Sequence, residues 1–287
     1  MPSPELPIVR TVTELRERVR GWRVQGQGVG LVPTMGALHE GHLSLVRRAR
    51  QDAGRVLASV FVNPAQFAPG EDFERYPRDE AGDSALLASA GCDLLYAPGV
   101  DEIYPPGFST SVTVAGVSEP LDGIARPTHF AGVATVVAKL LIQAAPDLAV
   151  FGEKDYQQLQ VIRRLVRDLD LPVRIIGAPT VREPDGLALS SRNAYLGEAQ
   201  RRVAARLNVI LAEAAEALAQ GAGVAPTEAR AVQALLDAGF DSVDYVEARG
   251  AEDLHRLGPG RVDAPARLLA AAHLGKTRLI DNMAVGG

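Results

Sequence analysis

Val12, Leu15, Val19 and Trp22 recur three and four residues apart, which is the spacing of one face of a helix. Thr11-Val12-Thr13-Glu14 stands at their start in the form of a capping box. Val29–Val32 then reads as a buried strand ending at Pro33, and Leu43, Leu45, Val46 and Ala49 mark a helix starting near Gly41. The run Val56–Val62 predicts a second strand that stops at Asn63-Pro64. Helix and strand signals keep alternating: a helix at Glu80–Ala90 and strand Asp93–Tyr96, a helix at Phe130–Ala144 and strand Leu148–Phe151, a helix at Tyr156–Leu169 and strand Val173–Ile176. Continuous apolar strands separated by helices predict a parallel sheet covered on both faces, doubly wound and Rossmann-like.

After Pro179 the pattern changes. Gly197–Gln220 and Pro226–Ala238 read as helices, followed by short strand-like pieces at Val243–Glu247, Arg267–His273 and Thr277–Ile280. We therefore expect an α/β domain over residues 1–182 and a smaller C-terminal α+β domain over 183–287.

Composition narrows the class. The 287 residues are 47% hydrophobic and 23% charged, near the globular average. Met1–Glu5 shows no basic and apolar leader pattern. The apolar run Ala131–Ala145 contains Lys139 and Gln143 and is too short for a bilayer. Net charge is -5, with no Lys/Arg block, so neither a membrane nor a nucleic acid is an expected partner. Cys92 has no second cysteine to pair with and is expected to be a buried small hydrophobe in a reducing cytoplasm. Lysine is rare: Lys139, Lys154 and Lys276 are outnumbered by arginine throughout, which singles out each ammonium.

The chemistry concentrates where strands should end. Pro33–Leu43 follows the first parallel strand and contains Gly36, Gly41 and the pair His39 and His42. Helix N-terminal amides in that position attract phosphate, and two imidazoles there can donate to phosphate oxygens. A zinc pair is usually spaced four apart with a third ligand; these histidines are three apart. Gly152-Glu153-Lys154-Asp155 follows another strand, where Lys154 can reach phosphates and Asp155 a ribose or a magnesium ion, although a solvated turn has the same pattern. Gln157 and Gln158 open the next helix. Leu189-Ser190-Ser191-Arg192 lies at the expected domain junction and suits a loop closing over phosphates, or a polar linker. Asn63 and Gln66 beside Phe67 offer a wall for a small hydroxy acid. Arg78 suits either a carboxylate contact or a surface ion pair, and His129 either the site or packing.

Taken in order, these pieces resemble the pantoate–β-alanine ligase family. The resemblance runs from about Pro33 to Asn282 and includes Phe61-Val62-Asn63-Pro64, Gln66-Phe67, Tyr76-Pro77-Arg78, Phe151–Leu159, Leu189–Asn193 and Thr277–Asn282. The His-x-Gly-His doublet alone would imply only the wider nucleotidyl-transfer superfamily. The resemblance implies a Rossmann-like, HIGH-type nucleotidyl-transfer fold and an ATP- and Mg²⁺-dependent condensation of pantoate with β-alanine through pantoyl adenylate. It also implies a cytoplasmic, commonly homodimeric enzyme. By motif, ATP falls to Met35, Gly36, Ala37, Leu38, His39, Glu40, Gly41, His42, Gly152, Glu153, Lys154, Asp155, Val181, Leu189, Ser190, Ser191 and Arg192. Pantoate falls to Asn63, Gln66 and Gln158, with Gln66 also near β-alanine, and His39, His42, Lys154 and Arg192 are the groups for transition-state charge. Ala65 and Thr128 depart from the residues usual in the family, a larger side chain and a glycine respectively. A nucleotidyltransferase acting on a phosphorylated acceptor and a nucleotide-binding regulator without turnover are the competing readings.

Overall fold

The computed structural model describes residues 6–68, 71 and 73–286. Met1–Glu5, on which the reading of no leader rests, lies outside the described residues. The chain divides into two compact units, Met1–Glu153 with Val161–Pro179, and Lys154–Gln160 with Thr180–Gly287.

The first unit carries β1 (Ile8–Val9), α1 (Val12–Val24), β2 (Val29–Thr34), α2 (Glu40–Asp52), β3 (Arg55–Val60), α3 (Glu80–Ser89), β4 (Leu94–Tyr96), α4 (Val100–Ile103), α5 (Asp122–Ala125), α6 (His129–Ala144) and β5 (Leu148–Gly152). α7 (Tyr156–Asp168) follows, its later part and β6 (Arg174–Ala178) completing that unit. The strands form one six-stranded sheet in the order β1-β4-β3-β2-β5-β6, parallel at every pairing. Strand order reverses at β2, which has β3 on one side and β5 on the other. In a doubly wound sheet the crevice beyond the carboxyl ends at that reversal is the ligand position.

Alternation along the strands divides the core. α2 and α3 supply Leu43, Val46, Ala49 and Leu87 to a cluster with Val32, Val56, Ala58, Leu95 and Val150. Leu31, Leu57, Leu94 and Ala149 are also fully buried and, one residue out of phase, point to the opposite face. Cys92 belongs to the first cluster, and burial pushes its thiol up to about 11, consistent with the expected inert, small apolar role.

Pro33 does not end its strand, as the sequence pattern suggested; β2 continues through Thr34. β5 pairs with β2 only at Gly30 and Leu31, so by Pro33 one edge of β2 no longer needs a donor. β3 stops at Val60 instead of Val62: Phe61 N–H makes a last bond to the Thr34 carbonyl, 3.1 Å, and the chain then turns into a 3-10 segment, Pro64–Gln66. The short strand β1 escapes the sequence reading, two residues being too few for a periodicity.

The second unit carries α8 (Glu198–Ala204), α9 (Arg206–Ala219), α10 (Val224–Asp237) and an antiparallel sheet of β7 (Ser242–Gly250), β8 (Ala266–Leu274) and β9 (Thr277–Val285). Leu207, Leu211, Leu218 and Leu235 pack there with Val246, Leu268, Ala270 and Leu279. The single helix expected over Gly197–Gln220 is two helices, broken where Ala205 N–H turns to the Val203 carbonyl.

Candidate functional site

The carboxyl end of β2 builds a rigid loop before α2. Thr34 Oγ1 donates to the Ser59 carbonyl, 2.7 Å, and accepts from Gly36 N–H, 3.3 Å. Gly36 and Ala37 then both take positive φ, 85° and 52°, a turn that costs little at glycine and more at alanine. Asp83 of α3 compensates: its carboxylate accepts from Ala37 N–H at 3.0 Å and Leu38 N–H at 2.8 Å. A methyl group added at Gly36 would stand 2.8 Å from Asp83 Oδ2, so glycine there also admits the carboxylate. Asp83 is 3% exposed. Burial, followed by nearby Asp79, raises its pKa, while the two backbone bonds oppose that shift.

His39 and His42 shape the helix that follows. His39 is the N-cap of α2, its Nδ1 accepting from Gly41 N–H at 3.2 Å. His42, three residues on, accepts from His39 N–H through its own Nδ1 at 3.3 Å. The two rings lie with centroids 4.2 Å apart. Each neutral ring that accepts at Nδ1 carries its proton on Nε2. The cap therefore sets the tautomer and makes Nε2–H the donor of both rings, at the positive end of the helix dipole.

Met35, Asn63 and Gln66 meet beside this loop. Gln66 Nε2 lies 3.1 Å from Met35 Sδ, and Gln66 Oε1 accepts from Asn63 Nδ2 at 3.0 Å. Asn63, 1% exposed, also donates to the Gly132 carbonyl and accepts from Tyr104 OH and Ala65 N–H. Its two donors and two acceptor sites are thus all engaged in orienting Gln66 and its turn. Burial pushes the Tyr104 hydroxyl up to about 12, which keeps it a donor.

Gln66 is held from its backbone as well. Its carbonyl accepts from His129 Nδ1 at 3.0 Å and Arg126 Nη2 at 3.3 Å. A ring donating at Nδ1 must accept at Nε2, where Arg126 Nη1 approaches to 3.2 Å. Desolvation, then the Arg126 charge, lowers the His129 pKa and favours that neutral form. Glu71 receives the Arg126 fork at 2.8 and 2.6 Å. Thr128, at φ −97° and ψ −10°, needs no glycine conformation. Ala65 is exposed.

α6 comes very close to this turn through Gly132: a β-carbon there would lie 2.3 Å from the Ala65 carbonyl oxygen. That neighbour is backbone and cannot rotate away. Gly132→Ala is expected to cost about 1–3 kcal/mol of stability, the usual penalty of overpacking, by pressing on the turn that carries Gln66. Urea unfolding checks this; unchanged stability would show that the turn yields.

Among the described residues Arg78 makes no ion pair. It clasps its own turn, donating to the carbonyls of Phe73, Glu74 and Tyr76 and lying 5.4 Å from the Phe73 ring centroid. His255 approaches Asp253 and His273 approaches Asp244, both near the surface.

The carboxyl end of β5 leads through Gly152 and Glu153 to Lys154, with Glu153–Asp155 a 3-10 turn. Lys154 Nζ lies 3.6 Å from Asp155 Oδ1, and Gln158 stands on the first turn of α7. Elsewhere in the second unit, Val181 and Leu189 are joined by a backbone bond, Leu189 N–H to the Val181 carbonyl at 3.0 Å. Ser190 caps the 3-10 turn Ser191–Tyr195, accepting from Arg192 N–H at 3.3 Å. Asn193 ties that turn to Glu183 and the Ala188 carbonyl. Among the described residues no three His, Cys, Asp or Glu side chains gather into a metal-holding group, and no helix is long and apolar enough to cross a membrane.

Sequence reasoning missed Asp83, whose carboxylate sets the loop geometry from more than forty residues away. Its signal was an acidic residue on an expected helix, which looks the same as a solvated face. The capping role of the histidines was also missed, because Ser, Thr, Asp and Asn are the usual N-caps.

The model of the family described as pantoate-beta-alanine ligase matches residues 7–284. A pantothenate synthetase of Caulobacter vibrioides is 66% identical over 280 residues, covering 97% of this chain and 98% of its own. The crystal structure of pantothenate synthetase from Thermus thermophilus superposes with TM-score 0.92 at 50% identity, over 98% of this chain and all of that one. A pantoate-beta-alanine ligase from Francisella tularensis, complexed with beta-gamma ATP and beta-alanine, superposes with TM-score 0.81 at 33% identity, over 98% of each chain. Matches of this identity over whole chains leave one conclusion: the chain belongs to the pantoate–β-alanine ligase family.

Proposed function

We propose that this chain joins pantoate to β-alanine in two steps at the expense of ATP. A pantoate carboxylate oxygen attacks the α-phosphorus, the bond to the bridging oxygen breaks, and pyrophosphate leaves. The β-alanine amine then attacks the acyl carbon of pantoyl adenylate, AMP leaves, and the nitrogen releases its proton to give pantothenate. The observation that carries this reading is the capped histidine pair, with both Nε2–H donors fixed at the N-terminus of α2 beyond β2.

Residues Met35–His42 hold ATP in this proposal, joined by Gly152–Asp155, Val181 and Leu189–Arg192. His39, His42, Lys154 and Arg192 stabilise the charge that builds on the α-phosphate in the transition state. Mg²⁺ enters on the ATP phosphates as part of the substrate, with Asp155 the nearby carboxylate able to touch it; a metal bound chiefly by phosphate and water needs few protein ligands. Gln66 and Gln158 take pantoate, Asn63 acts by orienting Gln66, and Gln66 also borders β-alanine. The family resemblance supports a cytoplasmic homodimer.

Pantoate labelled with ¹⁸O in its carboxylate tests the route. Adenylation moves one labelled oxygen into AMP, which ³¹P NMR reads as an isotope shift, with AMP and pyrophosphate accumulating over many turnovers only when β-alanine is present. Unlabelled AMP would reject the adenylate, and intact ATP in every mixture with folded protein would reject the ligase reading.

Gln66→Ala is expected to raise the pantoate KM about 10- to 100-fold, the scale of hydrogen bonds to a carboxylate, with little change for ATP. Equal weakening of both substrates would contradict the assignment of Gln66.

A further inference from the structure

The motif Thr277–Asn282 has no part in the reaction as proposed, yet its last two residues, Asp281 and Asn282, are each 3% exposed on β9. Asp281 is accounted for by Arg182, whose guanidinium grips it at 2.6 and 2.8 Å. Asn282 points elsewhere. Its Nδ2 donates to the Lys154 carbonyl at 2.9 Å, and its Oδ1 accepts from Arg267 Nε at 2.6 Å. Arg267 in turn stacks 4.3 Å from the ring centroid of Tyr156, whose hydroxyl donates to the Ala251 carbonyl at 2.9 Å. These contacts bind residues 154–160 into the second unit.

We propose that Asn282 is a positioning residue for Lys154: its side-chain amide, aligned by Arg267, holds the Lys154 carbonyl and thereby fixes the turn that presents the Lys154 ammonium. The residue type is what this task requires. Arginine is a donor only, so the Asn282 oxygen must face it, which aims the NH₂ group at the carbonyl. An aspartate keeps the acceptor for Arg267 and loses the donor for Lys154. The turn over Glu153–Asp155 is a single 3-10 turn, too short for internal bonds to hold it alone, so an outside tether decides where the ammonium points. A displacement of about 1 Å of a transition-state contact is enough to reduce rate severely.

The inference rests on the reading of Lys154 as a phosphate contact, and a mutant cycle separates the two. Asn282→Asp is expected to lower kcat for AMP formation about 10-fold while leaving the pantoate KM within about twofold. Lys154→Ala is expected to lose more, and the double variant to be no slower than Lys154→Ala. Wild-type kcat in Asn282→Asp, or losses that multiply in the double variant, would overturn the tether. Should Asn282→Asp not fold, Arg267→Lys replaces it in the same cycle, with a kcat loss that disappears in the Lys154→Ala background. If Lys154→Ala alone keeps wild-type kcat, the phosphate role fails, and hydrogen exchange at amides 154–157 judges the tether separately. Faster exchange in Asn282→Asp supports it; unchanged exchange rejects it.

Discussion

His42→Ala is expected to lower turnover by about 10²–10³, the loss associated with one preorganised donor to transition-state charge. Two effects are combined in that variant. The ring supplies the Nε2–H donor, and its Nδ1 accepts His39 N–H at the start of α2; losing a cap costs about 0.5–2 kcal/mol of stability. His39→Ser makes the corresponding separation at the neighbouring ring. Serine is a strong N-cap and restores an acceptor near Gly41 N–H while removing the imidazole donor, so that variant should keep its unfolding midpoint and still lose turnover. Stopped assays of AMP release beside thermal unfolding give both numbers. Near-wild-type rates in folded His42→Ala protein would remove the ring from the chemistry and leave it as a cap.

How much of this could be read from the sequence depended on whether local pattern and tertiary role agreed. The alternating strands and helices of the first unit were legible because its central strands, β2 to β5, are buried on both faces and helices such as α1 and α2 keep a simple apolar stripe. The loop Met35–His42 was legible as a strand-to-helix turn because Pro33 and the glycines Gly36 and Gly41 punctuate the two apolar patterns. Strand β9 was legible only as far as Ile280, since Asp281 and Asn282 break the apolar alternation. They are buried all the same, because Arg182, Arg267 and the Lys154 carbonyl satisfy them. Arg78 was opaque for the opposite reason: among the described residues it bonds the carbonyls of its own turn, which no residue pattern displays. Asp83 required knowledge that α3 faces the loop after β2, and only the sheet order supplies that.

Asp83→Ala should therefore be the most damaging change outside the proposed substrate contacts. It leaves Ala37 N–H and Leu38 N–H without the acceptor they have at 3.0 and 2.8 Å, and a buried unpaired donor costs about 1–3 kcal/mol. Relief from burying a carboxylate offsets part of this, so a net loss of about 3 kcal/mol is expected by urea unfolding. The loop then has no compensation for the positive φ of Ala37, and turnover should fall with stability. Asp83→Asn sharpens the test, because its oxygen can serve one N–H while its NH₂ opposes the other. The pH dependence has a definite sign. Burial raises the Asp83 pKa in the folded protein, so this group favours the folded state at low pH and loses that contribution as pH rises through its raised value. The stability gap between wild type and Asp83→Asn should accordingly change across that range and become constant above it. A gap that is constant throughout would mean that Asp83 titrates alike in the folded and unfolded chains, and that its two backbone bonds fully offset its burial.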